Sequence, residues 1–225
     1  MALRGREHVI DTLLEGLCAG HRILLYGPVG VGKSAILHAI AERLRGGSRP
    51  YGLITRTGSL HDVTAALAAA YPDLDTEGLK QGTIRFALRS AVDRCAPILL
   101  LDGLVAAAAP MRTFLRILEG KGAGVLIAAD VAHDRDHQRV RKMRLAYREV
   151  ALPPLDTRII REQLAALVRP GLVDQLLPIV HGLPGRAHVA AALVQRPRYW
   201  SDGALLRSVL ETDVDAEMAR RAMTA

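Results

Sequence analysis

The chain has 225 residues, half of them hydrophobic, and a formal net charge of +7 from 30 basic and 23 acidic side chains. That composition supplies a sizeable core and excludes disorder as the default, and no apolar run reaches the 18 residues that would suggest a membrane span. Only Lys33, Lys80, Lys121 and Lys142 are lysines; arginine rising together with alanine looks like the bias of a GC-rich genome, so the charge alone raises a nucleic-acid partner only modestly.

The N-terminal stretch "MALRGREHVIDTLLEGL" is charged and amphipathic, without the apolar core and cleavage site of a signal peptide. Its Val9, Ile10, Leu13, Leu14 and Leu17 predict a helix that ends at Gly20. "RILLY", 22–26, predicts a buried strand, and Ile36, Leu37, Ile40 and Leu44 predict a helix from Lys33 to Leu44. "YGLITR", 51–56, reads as a second strand, Ser59 as the N-cap of a helix through Tyr71, and 79–94 as a further helix. "APILLLDG", 96–103, is a third strand whose aliphatic run suits burial on both faces. "MRTFLRILEG" predicts a helix, "GVLIAAD" (124–130) a fourth strand, 135–147 a helix and "REVAL" (148–152) a fifth strand. After "PPLD", 153–156, only helical patterns follow. Cys18 and Cys95 fit no metal spacing and are expected to be buried thiols in a reducing cytosol.

Strands alternating with helices predict an α/β fold, a five-stranded parallel sheet in a three-layer sandwich, followed by a small all-helical domain. The expected boundary divides 1–154 from 155–225.

"GPVGVGKS", 27–34, is a complete phosphate-loop pattern between a strand and a helix. Glycine lets backbone N–H groups turn inward as an anion nest, and the helix N-terminus adds its dipole. The candidate contacts run from Gly27, Pro28, Val29, Gly30, Val31 and Gly32 through Lys33 and Ser34 to Ala35. Lys33 offers a cation to the β- and γ-phosphates, and Ser34 a hydroxyl to Mg²⁺. Asp102, at the tip of "ILLLD", supports the metal through water. Many ATPases carry a glutamate directly after this aspartate to orient the attacking water. Here the position is Gly103, so hydrolysis is expected to be slow. Asp130 ends the fourth strand at the ligand edge of the sheet, where it either positions water or metal or caps the segment after it.

The order of these parts resembles the AAA+ and STAND branch of P-loop ATPases: "LRGREHVIDTLLEGL", "GPVGVGKS", "LLLDG", "VLIAAD", "REVALPPLD" and "GLPGRAHVAAALV". The resemblance implies that the leading helix packs near adenine and that "VALPPLD" enters a helical lid. It implies that Arg186 contacts the γ-phosphate from the lid, and that an arginine between the fourth strand and the lid reaches a neighbouring subunit's nucleotide. Arg141 and Arg144 are preferred for that role over Arg139. It further implies ATP or ADP with Mg²⁺, and assembly as a homo-oligomer or as a hetero-complex with an effector protein. A DNA-related setting is the preferred biology, with signalling or defence close behind. Cytoplasmic residence and no membrane partner are expected.

Two other readings stay open. A small-molecule or nucleoside kinase would press Arg56, Asp62 and Arg94 into acceptor binding, and a static interaction module would hold nucleotide without turnover. His133 and His137 flank Asp134 and Asp136 at metal-like spacing but lack a third ligand and read as surface. Tyr199 and Trp200 beside Arg196 and Arg198 read as lid-edge packing rather than base stacking.

Overall fold

A computed structural model describes residues 3–55, 60–74, 78–102, 109–130 and 147–195. These residues fall into two compact units, one within Met1–Gly27 and Lys33–Ala151, the other within Pro28–Gly32 and Leu152–Ala225.

The first unit is built on a parallel sheet of β1 (Arg22–Gly27), β2 (Tyr51–Ile54), β3 (Ile98–Asp102), β4 (Gly124–Asp130) and β5 (Arg148–Ala151), in the order β2-β3-β4-β1-β5. The aliphatic runs that predicted β1, β3 and β4 are the central strands, and alternation sends their side chains to both faces. On one face Leu24, Leu99, Leu101, Val125 and Ile127 pack against α3 (Leu60–Ala69), α4 (Gln81–Arg94) and α5 (Ala109–Gly120) through Leu67, Leu88, Val92, Phe114 and Leu118. On the other side α1 (Glu7–Cys18) and α2 (Lys33–Leu44) contact the strands. Ile10, Leu13 and Leu17 of α1 and Ile36, Leu37 and Ile40 of α2 are buried, which is the periodicity read from the sequence.

At the N-terminal edge of the sheet one side chain ties three turns together. The Arg49 guanidinium donates to the carbonyls of Ala96, Cys18 and Gly122, the residues that precede β3, β1 and β4. A charged donor satisfying three carbonyls at once replaces the hydrogen bonds these turns would otherwise need from water. Near the same edge Glu119 accepts from Tyr147 Oη and from Arg22 Nη1, the latter at 3.3 Å. Burial, and then the Glu119 carboxylate, push the Tyr147 phenol up in pKa.

The second unit contains α6 (Thr157–Ala165), α7 (Pro170–Val180) and α8 (Pro184–Gln195) around Ile160, Leu164, Leu172, Leu176, Val180, Ala187 and Ala190. Asp156 caps α6 by accepting from the Arg158 N–H at 2.7 Å, and Pro170 opens α7 where no helical N–H is needed.

Several expectations shift. β2 ends at Ile54 rather than Arg56, and α3 ends at Ala69; Tyr71 leaves the helix and donates to the Cys95 carbonyl at 2.6 Å. Both cysteines are exposed, not buried. Each sits at the C-terminal end of a helix, past the apolar stripe, where the chain turns towards the sheet edge. Arg56, Ser59, the helix expected at 135–147 and the helix expected after 202 lie outside the described residues, as do His133, His137, Tyr199 and Trp200.

Gly124 records how closely α1 crosses β4. A Cβ there would lie 2.2 Å from the Leu17 carbonyl oxygen and 2.9 Å from its carbon, both backbone atoms that no rotamer change can move. Gly124→Ala is expected to destabilise the first unit by about 3 kcal/mol, the upper range for overpacking. Urea denaturation followed by circular dichroism would read this as a lower midpoint at unchanged slope; an unchanged midpoint would show that α1 does not press on β4.

Candidate functional site

The sheet register gathers the polar strand ends. Gly27, the last residue of β1, is paired with Asp130, and Asp102 of β3 is paired with Ala128. Ala128 in turn faces Leu25 of β1, so Gly27 and Asp130 form a row two residues, roughly 6.6 Å, beyond the row of Asp102. All three therefore lie on the C-terminal edge of the central strands, where parallel α/β sheets present ligand sites. Asp102 is half-buried. The side chain of Asp130 and the whole of Gly103, Arg139, Arg141 and Arg144 lie outside the described residues.

From Gly27 the chain runs through Pro28–Gly32 into α2, which begins at Lys33. Gly30 and Gly32 take φ of +80° and +103°. Those values suit glycine, because a Cβ would be strained there. At Gly32 an added Cβ would meet nothing within 4 Å, so the strain is in the backbone and the space beside it is open. The Lys33 side chain is only 7% exposed, and its Nζ donates to the Gly27 carbonyl at 2.8 Å, lacing the two ends of the loop together. Ser34 is exposed and Ala35 half-buried in the first turn of α2, whose leading N–H groups have no carbonyl four residues back within the helix. A buried ammonium, successive positive-φ glycines and a helix N-terminus make an anion cradle.

In the second unit Arg186 is the third residue of α8 and is half-buried. The turn before α8 is tightly specified. His181 adopts a left-handed φ of +50° and Gly182 one of +75°. The Gly182 carbonyl accepts from the Leu155 N–H at 2.8 Å. A Cβ on Gly182 would come within 2.7 Å of the Leu155 carbonyl and 2.8 Å of Pro154 Cβ. The "PPLD" and "HGLPGR" segments are thus one packed element, a pairing that neither segment announces alone.

A sequence model of the family described as the MoxR domain in MoxR-vWA-beta-propeller ternary systems matches residues 1–122. The chain belongs to this MoxR-domain family. Its architecture is that of AAA+ P-loop NTPases. Among solved structures it is similar to domain III of the Thermotoga maritima replication initiation protein DnaA, with a TM-score of 0.61 and 16% identity over 94% of this chain and 95% of that one. It is also similar to AMPPCP-bound DnaA from Aquifex aeolicus, with a TM-score of 0.52 and 22% identity over 88% of this chain but only 63% of that one. A STAND protein with a tetratricopeptide repeat sensor from Pyrococcus horikoshii aligns at TM-score 0.50 and 12% identity over 91% of this chain and 32% of that one. No curated protein matches the sequence.

Of the residues pressed into the kinase reading, Arg56 lies outside the described residues, and Asp62 and Arg94 are not brought together in this MoxR domain. Asp62 lies in the first turn of α3. Arg94 ends α4, and the hydrogen bond from Tyr71 to the Cys95 carbonyl sets that end beside the C-terminal end of α3. Arg94 accordingly precedes β3 at the N-terminal edge of the sheet, opposite Gly27 and Asp102. Sequence reading missed two features: the deeply buried Arg6, and the Arg49 tie. Arg6 is 6% exposed, and burial lowers its pKa. Arg6 lies within the "LRGREHVIDTLLEGL" stretch, but burial of one charge in a charged stretch has no periodic signature.

The cradle leads to a direct test. Lys33→Ala removes the ammonium and leaves the glycines in place, so pyrophosphate affinity is expected to fall by about 10–100-fold, the equivalent of a charge-assisted hydrogen bond. Titration calorimetry measures this, and equal affinity for both proteins would place the anion elsewhere.

Proposed function

We propose that this chain binds ATP and ADP and acts as a nucleotide-dependent switch or assembly subunit with weak intrinsic hydrolysis. The observation that carries this reading is the phosphate loop itself: Gly30 and Gly32 at positive φ, with the Lys33 ammonium bonded across the loop to Gly27. The donor set fits a Mg–nucleotide. Gly27–Ala35 supply N–H groups and a cation for the phosphates, while Ser34 and Asp102 supply oxygen donors of the kind Mg²⁺ takes. The metal, when bound, neutralises charge on the phosphate oxygens. Lys33 neutralises charge from inside the cradle, and Asp102 offers its carboxylate from the tip of β3. Asp130 stands next to Gly27 in the sheet and is assigned to orienting water near that row. Arg186 is assigned the γ-phosphate contact from the lid, and Arg141 or Arg144 the contact to a neighbouring subunit's nucleotide.

The family's description supports a hetero-complex in which the partners carry a vWA domain and a β-propeller. We place the chain there as the nucleotide-responsive member, resident in the cytoplasm. Among the described residues no helix is long and apolar enough to cross a membrane. The partition into an α/β domain at 1–154 and a helical lid at 155–225 is part of the same proposal. DNA as a partner rests on no residue contact in this chain and is kept as an arm of the test.

Two measurements test the reading. Gly103→Glu supplies the missing carboxylate after Asp102, and phosphate release is expected to rise by about 10²-fold, the lower range for one general base. Fast release by the unmodified chain would overturn slow hydrolysis. Sizing the purified chain by light scattering with ADP and with a non-hydrolysable ATP analogue, with and without DNA or a vWA-domain partner, tests the switch. The expected result is a different assembly with the two nucleotides. Identical assembly and partner retention in both would reduce the chain to a static nucleotide-binding module.

A further inference from the structure

The loop Pro28–Gly32 and the lid helices belong to one compact unit, and a main-chain hydrogen bond fastens one to the other. The N–H of Gly185 donates to the carbonyl of Gly30 at 2.8 Å. We propose that Gly185 is a positioning residue for phosphate binding: its amide holds the Gly30–Val31 peptide plane so that the opposite face of that peptide is presented to the ligand. This rests on the nucleotide-binding reading above and deepens it by naming how the lid is linked to the cradle.

Three observations support the assignment. First, a trans peptide points its C=O and N–H in opposite directions. With the Gly30 carbonyl held by α8, the Val31 N–H is turned away from α8. There it makes a long 3.3 Å contact with the Pro28 carbonyl, beyond the usual range for N–H···O, and a phosphate oxygen offers a better acceptor. Second, Gly185 carries the first amide hydrogen of α8, because Pro184 opens the helix and has none. First-turn amides have no partner inside their own helix; this one is spent on the phosphate loop. Third, the helix start is immobilised from behind. Gly182 has no room for a Cβ against Pro154 and Leu155, and the Leu155 N–H holds its carbonyl. The amide at 185 is therefore presented from a fixed support.

The electrostatics give the coupling a sign. An anion on the Val31 N–H polarises its peptide and makes the Gly30 carbonyl a stronger acceptor, since hydrogen bonds in series reinforce one another. Phosphate binding thus tightens the grip of the loop on α8, and by reciprocity a held α8 raises phosphate affinity. Arg186, the next residue, is carried on the same turn, so the amide and the guanidinium respond together.

The test uses the full chain. Amide hydrogen exchange at Gly185 is measured without ligand and with saturating pyrophosphate or ADP, beside calorimetric affinities for the wild type, Gly185→Ala and Gly185→Pro. The expected wild-type result is protection at Gly185 that increases several-fold on binding. Gly185→Pro removes the hydrogen and is expected to bind pyrophosphate and ADP about fivefold more weakly, the equivalent of one neutral hydrogen bond; Gly185→Ala, which keeps it, stays within about twofold of wild type. A role confined to holding the fold would leave Gly185 exchange unchanged on binding. Unchanged exchange, or a folded Gly185→Pro protein with wild-type affinity, overturns the proposal while leaving nucleotide binding intact. A wild type that binds neither ligand overturns both. Should the proline also disturb Pro184 and prevent folding, the wild-type exchange measurement decides alone.

Discussion

Everything in the first unit depends on β1 lying between β4 and β5. A parallel strand in the middle of a sheet has both edges hydrogen-bonded and both faces covered, which suits the aliphatic run Ile23–Leu25 in its middle. The strand ends at Gly27. It pairs with Asp130 on one side, and the Lys33 ammonium returns to its carbonyl. An anion nest made of backbone amides is only as good as the rigidity of the chain that carries it, because mobile amides would have to be ordered at the moment of binding. The Arg49 tie and the Gly124 contact at the far edge serve that rigidity, since they set where β3, β1 and β4 begin and therefore where they finish.

Much of this was legible in the residues, and unevenly so. β1, β3 and β4 could be read because aliphatic runs bounded by glycine admit few other interpretations. The expected α2 matched from Lys33 to Leu44 because its apolar stripe begins directly after the glycine loop. The C-terminal end of α3 falls short of the expected Tyr71. Tyr71 continues the apolar pattern, yet its hydroxyl reaches the Cys95 carbonyl, and tertiary pairing overrides helix periodicity there. The cysteines were misjudged for a related reason: composition says that free thiols are buried, but position at a helix terminus decides. In the candidate site the phosphate loop was readable as a motif with a mechanism. The packing of "PPLD" on "HGLPGR" was not, because it depends on two segments nearly thirty residues apart and on a glycine whose missing Cβ is what matters.

The same contrast separates binding from turnover. The groups proposed to hold phosphate are mainly backbone amides, one ammonium and a helix terminus, and all follow from loop geometry that glycine allows. In the proposed reading the group that would orient water is a carboxylate directly after Asp102, and that position is Gly103. Deleting such a side chain leaves the binding groups untouched, because none of them depends on it for position. In that reading binding and hydrolysis are separable in a way that binding and folding are not.

In the proposed reading that separation has a consequence for the switch. A ligand shifts an equilibrium only by the difference in its affinity for the two states, however tightly it binds. Groups that touch only the α- and β-phosphates, such as the loop amides, contribute alike to ATP and ADP. The discrimination must come from contacts to the γ-phosphate: the far reach of Lys33, the metal held by Ser34 and Asp102, and Arg186 on α8. None of these needs a catalytic carboxylate. Slow hydrolysis lengthens the lifetime of the triphosphate state without reducing the free-energy gap between the states, so the exchange of nucleotide, or a partner that completes the water-orienting site, would set the timing. A hydrogen bond from α8 to the loop carbonyl fits that logic, because it lets the lid register occupancy of the cradle before any bond in the nucleotide is broken.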